Sequence, residues 1–230
     1  MINNFSDFYS ELIKAGFSLA GGNNEGVFGL INFSWNNQPP DCPVRWHTGD
    51  PDTDPWEWRI RVLNERNDVA YAKVFFRKGG YITHEWYPYF LAARRDGRGF
   101  GDFYADGLIS VYAKRVMDAL TEGRALPVHE LKTLAGFGKD DKSLFEKALT
   151  DLQMGLFITI CGRAQKRNKH GDEYGWHSMM FCKTEDFWPP EVIGKADEIN
   201  KKEAINAITG RIHELNQFAD RRKIIKFITG

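Results

Sequence analysis

Residues 125–188 read ALPVHELKTLAGFGKDDKSLFEKALTDLQMGLFITICGRAQKRNKHGDEYGWHSMMFCKTEDFW, and this stretch decides the fold. From Pro127 to Ala135, Val128, Leu131 and Leu134 share one helical face, which Gly136-Phe137-Gly138 closes. A second helix opens at Asp140 or Asp141, repeats Leu144, Ala148, Leu149 and Leu152 at helical spacing, and stops at Gly155. Leu156-Phe157-Ile158-Thr159-Ile160 then turns apolar and β-branched. Arg163 to Asp172 is polar with Gly171 available for a turn, and Tyr174 to Phe181 returns as a partner strand. Helix, turn, helix and hairpin in this order predict a winged helix-turn-helix, an arrangement that most often reads nucleic acid.

Working outward, three glycines between Asp96 and Gly101 mark a turn. Asp102 then caps a long helix through Leu108, Val111, Tyr112, Val116 and Leu120, the first helix of the winged module. Upstream, a helix starts near Asn4 or Ser6 and carries Phe8, Leu12 and Ile13 to Gly16. Gly21 to Pro43 is rich in Gly, Asn and Pro, an irregular excursion around the strand-like run Val27 to Phe33. Asp54 is a good N-cap, with Pro55 at the first helical position, Glu57 three after the cap, and Trp58, Val62 and Leu63 supplying a face to about Asn67. Ala70 to Phe76 and Tyr81 to Thr83 flank Gly79-Gly80 as a short hairpin, although residues 71–76 also fit a helix. His84 to Arg94 reads as helical despite Pro88. Downstream, Ile205, Ile208, Ile212 and Leu215 make Lys195 to Ala219 an amphipathic helix, suited to packing on the module or to pairing two copies as a homodimer. The expected class is α+β and mostly helical. Its three parts are an aromatic-rich N-terminal region at 1–100, the winged helix-turn-helix at 101–190 and a C-terminal helix at 191–230.

Lys and Arg number 31 and Asp and Glu number 31, so any attraction to phosphate must come from local clustering. Arg163, Lys166, Arg167 and Lys169 cluster on the predicted wing, and Arg221, Arg222, Lys223 and Lys226 cluster near the end. Asp41, Asp50, Asp52, Asp54 and Glu57 load an earlier stretch with acid. Three cysteines without a CxxC pair argue against a zinc site and a disulfide framework, and no metal or cofactor is expected. Cys161 and Cys182 fall on the two wing strands, either as buried free thiols or as a facing pair. No basic-then-apolar leader is present, and no apolar run approaches the ~20 residues of a membrane helix. The expected setting is a reducing cytoplasm with no membrane partner.

Two constellations carry candidate chemistry. On the wing, Arg163, Lys166, Arg167 and Lys169 would contact DNA phosphates, joined by Lys142 and Lys147 of the preceding helix; the alternative is a hairpin kept soluble by charge. That helix carries Asp140, Asp141, Glu146 and Asp151 against Lys142 and Lys147, a poor match to a phosphate-lined groove. The module therefore also fits a protein-interaction role. In the N-terminal region, Trp56-Glu57-Trp58-Arg59 and His84-Glu85-Trp86 would converge on an aromatic pocket. There Glu57 or Glu85 is the candidate base and His84 the proton carrier, Arg59 holds an anion, and Trp56 and Trp86 give stacking walls for a flipped base. The alternative is structural: a capping box for Glu57, a core for the tryptophans and a half-buried His84. Asp50, Asp52 and Asp54 fit either a divalent cation or a stiff capped turn around Pro51 and Pro55.

The runs Trp46-His47-Thr48-Gly49-Asp50-Pro51-Asp52-Thr53-Asp54-Pro55-Trp56-Glu57-Trp58-Arg59, Gly80-Tyr81-Ile82-Thr83-His84-Glu85-Trp86-Tyr87-Pro88-Tyr89-Phe90 and Leu108-Ile109-Ser110-Val111-Tyr112-Ala113-Lys114-Arg115 resemble the AlkZ-related proteins. These are short bacterial relatives of the AlkZ or YcaQ type DNA glycosylases, which are built from winged-helix units. The resemblance implies that architecture and a setting in DNA repair. Those glycosylases carry a Gln-x-Gln or Gln-x-Asp motif that orients water at the anomeric carbon. The four glutamines here read Gln38-Pro39-Pro40, Gln153-Met154-Gly155, Gln165-Lys166-Arg167 and Gln217-Phe218-Ala219, so none begins such a motif. The fold carries over, and the reaction does not.

Overall fold

Asn4 opens the first helix, α1 (Phe5–Ala15), by accepting from the Asp7 amide, and Gly16 ends it at φ 92°, a conformation glycine adopts at no steric cost. The computed structural model describes residues 2–167, 170 and 172–230. After α1 come β1 (Phe17–Leu19), α2 (Pro55–Glu65), β2 (Val69–Phe75), β3 (Lys78–Thr83) and α3 (Tyr87–Arg95). The middle of the chain forms α4 (Phe100–Ala105), α5 (Val111–Ala119), β4 (Leu126–Pro127), α6 (Val128–Leu134), α7 (Lys142–Met154), β5 (Ile158–Arg167), β6 (Glu173–Lys183) and α8 (Thr184–Phe187). It ends with α9 (Pro190–Asp197), α10 (Lys201–Leu215) and α11 (Arg221–Thr229). The class is α+β with antiparallel strand pairing. No described helix is long and apolar enough to cross a membrane.

Two units divide the chain: Met1–Gly97 with Pro190–Gly230, and Arg98–Pro189. In the first, β3 lies between β1 and β2, with Phe17 opposite Ile82 and Tyr71 opposite Tyr81. Its core is aromatic. Phe8 of α1 stacks on Trp58 of α2 at 4.8 Å and meets Tyr81 edge-on at 5.2 Å, while Phe75 and Phe227 stack at 3.7 Å. Helices α9, α10 and α11 all pack on α3. The stripe expected on the C-terminal helix turns inward, with Ala204, Ile208 and Ile212 buried.

At the centre of this packing is Arg94, which is buried. Its Nε donates to the Ile228 carbonyl at 2.8 Å, and its Nη2 donates to Val74 at 2.8 Å and Phe227 at 3.0 Å. Phe227 and Ile228 sit in the last turn of α11, where carbonyls lack helical partners and a cation meets the negative end of the helix dipole.

In the second unit, β6 lies between β4 and β5, with Leu126 opposite Phe181 and Ile160 opposite Phe181 on the other side. Helix α5 packs on α6 and α7. Leu131, Ala148, Leu149 and Leu152 are buried as their helical spacing requires, Phe145 joins them, and of the other residues expected on these faces Val128 and Leu144 are half-buried and Leu134 is exposed.

Several expectations are corrected. The long helix expected from Asp102 is two helices: Gly107 takes φ 71°, and Ser110 restarts the chain by accepting from the Ala113 amide. The helix expected over Lys195–Ala219 also breaks, because Asn200 caps α10 by accepting from Glu203. Residues 71–75 are strand and not helix, buried on both faces apart from Lys73, and Phe76 belongs to the turn. The hairpin turns at Phe76-Arg77, with φ values of 51° and 61°, and not at Gly79-Gly80. Those glycines lie within β3 under aromatic rings: a Cβ on Gly80 would fall 2.3 Å from Phe75 Cδ2, and one on Gly79 would fall 2.6 Å from the Tyr71 hydroxyl oxygen. Val27 to Phe33 forms no strand, only an isolated bridge between Leu19 and Gly29.

Arg94→Ala leaves buried carbonyls without donors, so unfolding free energy should fall by about 3 kcal/mol or more in urea titration. Arg94→Lys should restore less than half of this, because an ammonium lacks the planar fork.

Candidate functional site

The β5–β6 ladder runs from Ile158 opposite Lys183 to Arg167 opposite Glu173, with shifts between Ile160 and Gly162 and between Ala164 and Lys166. Arg163 is exposed and Lys166 half-buried. Lys166 stands opposite Tyr174, an aromatic residue 53% exposed. The backbone of Arg167 closes the described part of β5, and Lys169 and Gly171 lie outside the described residues. Sequence reasoning passed over Tyr174. Its only signal was an aromatic at the polar end of a strand.

Helix α7 places its two lysines elsewhere. Lys142 pairs with Glu146 at 3.8 Å and Lys147 with Asp151 at 2.7 Å, both one turn along the same helix. Exposed pairs of this kind are worth about 0.3–0.5 kcal/mol each, and they occupy the charges a phosphate would need.

The start of α2 is organised by Asp54, which is 0% exposed. One carboxylate oxygen accepts from Trp56 N at 2.8 Å, and the other accepts from Thr48 N at 2.8 Å and Gly49 N at 3.0 Å. Asp50 accepts from Asp52 N and the Thr53 hydroxyl, and these bonds, the Asp52 amide first, hold its carboxyl below the ordinary value. Asp52 pairs with Arg61 at 3.3 Å. The acidic run is thus a capped turn, and among the described residues no group of three or more potential ligands is placed to hold a metal ion.

Arg59 is 8% exposed, with its guanidinium 3.4 Å from the Trp56 ring centre and its Nε bonded to the Trp56 carbonyl at 2.7 Å. Trp56 also meets His47 at 5.0 Å, and Trp58 is in the core. His84 and Glu85 are exposed and Trp86 is half-buried in the turn between β3 and α3.

Glu85 and Trp86 line a hollow of about 370 Å³ with Lys14, Asn206, Gly210, Arg211 and Glu214 among its walls. His84, Trp56, Glu57 and Arg59 are not among its lining residues, so the two aromatic runs serve different places. Trp86 is fixed by the chain beneath it, since a Cβ on Gly16 would fall 2.2 Å from its Cδ1. Arg211 donates to the Ala15 carbonyl at 3.1 Å and to Glu214 at 2.6 Å. The hollow offers an aromatic wall, an amide, two carboxylates and two cations. Sequence reasoning missed its α10 side, for which Gly210 inside an apolar-striped helix was the one signal.

A family model described as AlkZ related matches residues 2–229, nearly the whole chain. No curated protein and no solved structure matches it.

Removing the Asp54 carboxylate strips a partner from three backbone amides, so Asp54→Ala should lower stability by about 1–3 kcal/mol in chemical denaturation. Millimolar Mg²⁺ or Ca²⁺ should leave the melting temperature of the unaltered protein unchanged, and a rise would reassign the acidic turn as a cation site.

Proposed function

The chain belongs to the AlkZ-related family, and from that premise we propose that it is a winged-helix DNA-binding protein that recognises damaged or unpaired bases without the glycosylases' water-orienting glutamine motif. The observation that carries this reading is the β5–β6 hairpin, which follows a packed trio of helices and bears Arg163 and Lys166 with exposed Tyr174 beside them. The order α5, β4, α6, α7, β5, β6 supports the winged arrangement, with α7 in the position of the recognition helix and the hairpin as the wing. Arg163, Lys166, Arg167 and Lys169 bind backbone phosphates and release counterions, and Tyr174 adds a stacking face.

The Trp86 hollow is suited to an unstacked base. A flipped or single-stranded base needs a π-surface and polar groups at its edge, which Trp86 supplies together with Glu85, Asn206 and Glu214. A second reading is favoured by residues 140–154, where Asp140, Asp141, Glu146 and Asp151 outnumber Lys142 and Lys147 and both lysines are already paired. On that reading α7 docks a basic protein partner while the wing holds DNA.

Binding to single-stranded DNA, followed by fluorescence anisotropy, should weaken with salt at a log–log slope of roughly −3 for the four wing cations, using the single-strand coefficient. Replacing Arg163, Lys166, Arg167 and Lys169 together with alanine should bring that slope toward zero, and an unchanged slope would reject the wing as the contact. Trp86→Ala should reduce affinity for a bubble relative to paired duplex by about 1–3 kcal/mol, or roughly 5-fold to over 100-fold. Equal losses on both substrates would reject the base-holding hollow.

A further inference from the structure

A second hollow, of about 350 Å³, lies within Arg98–Pro189 at the base of the β5–β6 hairpin. Its walls include Arg124, Cys161, Met180, Cys182, Asp186 and Phe187. Ile160 faces Phe181 and Gly162 faces Met180, so Cys161 is the extra residue of a β-bulge. Bulges re-aim a side chain, and Cys161 here lines the same hollow as Cys182 of the neighbouring strand.

We propose that Cys161 and Cys182 form a dithiol that hydroperoxides oxidise to a disulfide, with Cys161 as the attacking sulfur and Cys182 as the resolving one. Cys161 is half-buried and opens on the hollow, whereas Cys182 is buried. The interaction with Cys182 holds the Cys161 thiol below its ordinary pKa, and the same interaction, with burial and the nearby Asp186 and Glu185, pushes that of Cys182 up. One sulfur is therefore the better nucleophile and the other retains its proton.

The chemistry balances in two steps. Cys161 thiolate attacks the distal hydroperoxide oxygen, an S–O bond forms and the O–O bond breaks. The departing alkoxide takes up the proton that Cys161 released and leaves as an alcohol, with Arg124 on the wall as a donor to that oxygen. Cys182 then attacks the sulfenic sulfur, forming the S–S bond and expelling hydroxide, which takes the Cys182 proton and leaves as water. The thiol pair loses two electrons and the peroxide gains them.

The test uses the reduced full-length chain, treated with hydrogen peroxide or cumene hydroperoxide, quenched with an alkylating reagent and mapped by peptide mass. The expected product is a Cys161–Cys182 linked pair, reversed by dithiothreitol and formed at least tenfold faster than any change at Cys42. In Cys182→Ser, Cys161 should stop at a sulfenic acid trapped by dimedone. In Cys161→Ser, Cys182 should remain a thiol. Circular dichroism of each variant checks that it is folded, and Cys161→Ala and Cys182→Ala provide second versions. Oxidation of Cys42 at a rate equal to Cys161, or sulfinic acid at Cys161 with no linked peptide, overturns the proposal.

Discussion

The Met1–Gly97 and Pro190–Gly230 unit depends on one buried cation. Arg94 is buried, and desolvation pushes its pKa down to about 10, so it keeps its charge at neutral pH. A charge in that position is tolerable only if its N–H groups find acceptors. The acceptors are main-chain carbonyls from two elements, Val74 of β2 and Phe227 and Ile228 of α11. Arg94 thereby joins three elements far apart in sequence, and the Phe75–Phe227 stack is built around the same junction.

The same logic identifies other cations that hold structure. Arg59 lies against Trp56, Arg61 bonds Glu65 and the Pro51 carbonyl, and Lys142 and Lys147 pair along their own helix. A count of positive residues would treat all of them as equal candidates for phosphate. Burial and pairing show instead that these cations hold structure.

Local signals in the sequence were strong where one residue type had one physical use. Asn4, Asp54 and Gly16 sat where capping chemistry puts them, and α7 followed its apolar spacing at Ala148, Leu149 and Leu152, with Phe145 buried in place of Leu144. Long periodic segments misled because periodicity is blind to interruption: Gly107 and Ser110 split one helix, and Asn200 split another. The glycines of β3 were read as a turn when their role was to let Tyr71 and Phe75 lie against the backbone. That role depends on a neighbour across the sheet, which no local window contains. The Trp86 hollow was half visible for the same reason. Glu85 and Trp86 stood out together, but Asn206, Arg211 and Glu214 join them only through the packing of α10 on α3.

Phe227 completes the aromatic core begun by Phe17, Phe75 and Phe90, so that core needs a part of the chain made more than a hundred residues later. Arg98–Pro189 emerges from the ribosome with all of its own parts and is able to close first. The earlier segment cannot complete its aromatic core until Phe227 of α11 has been made.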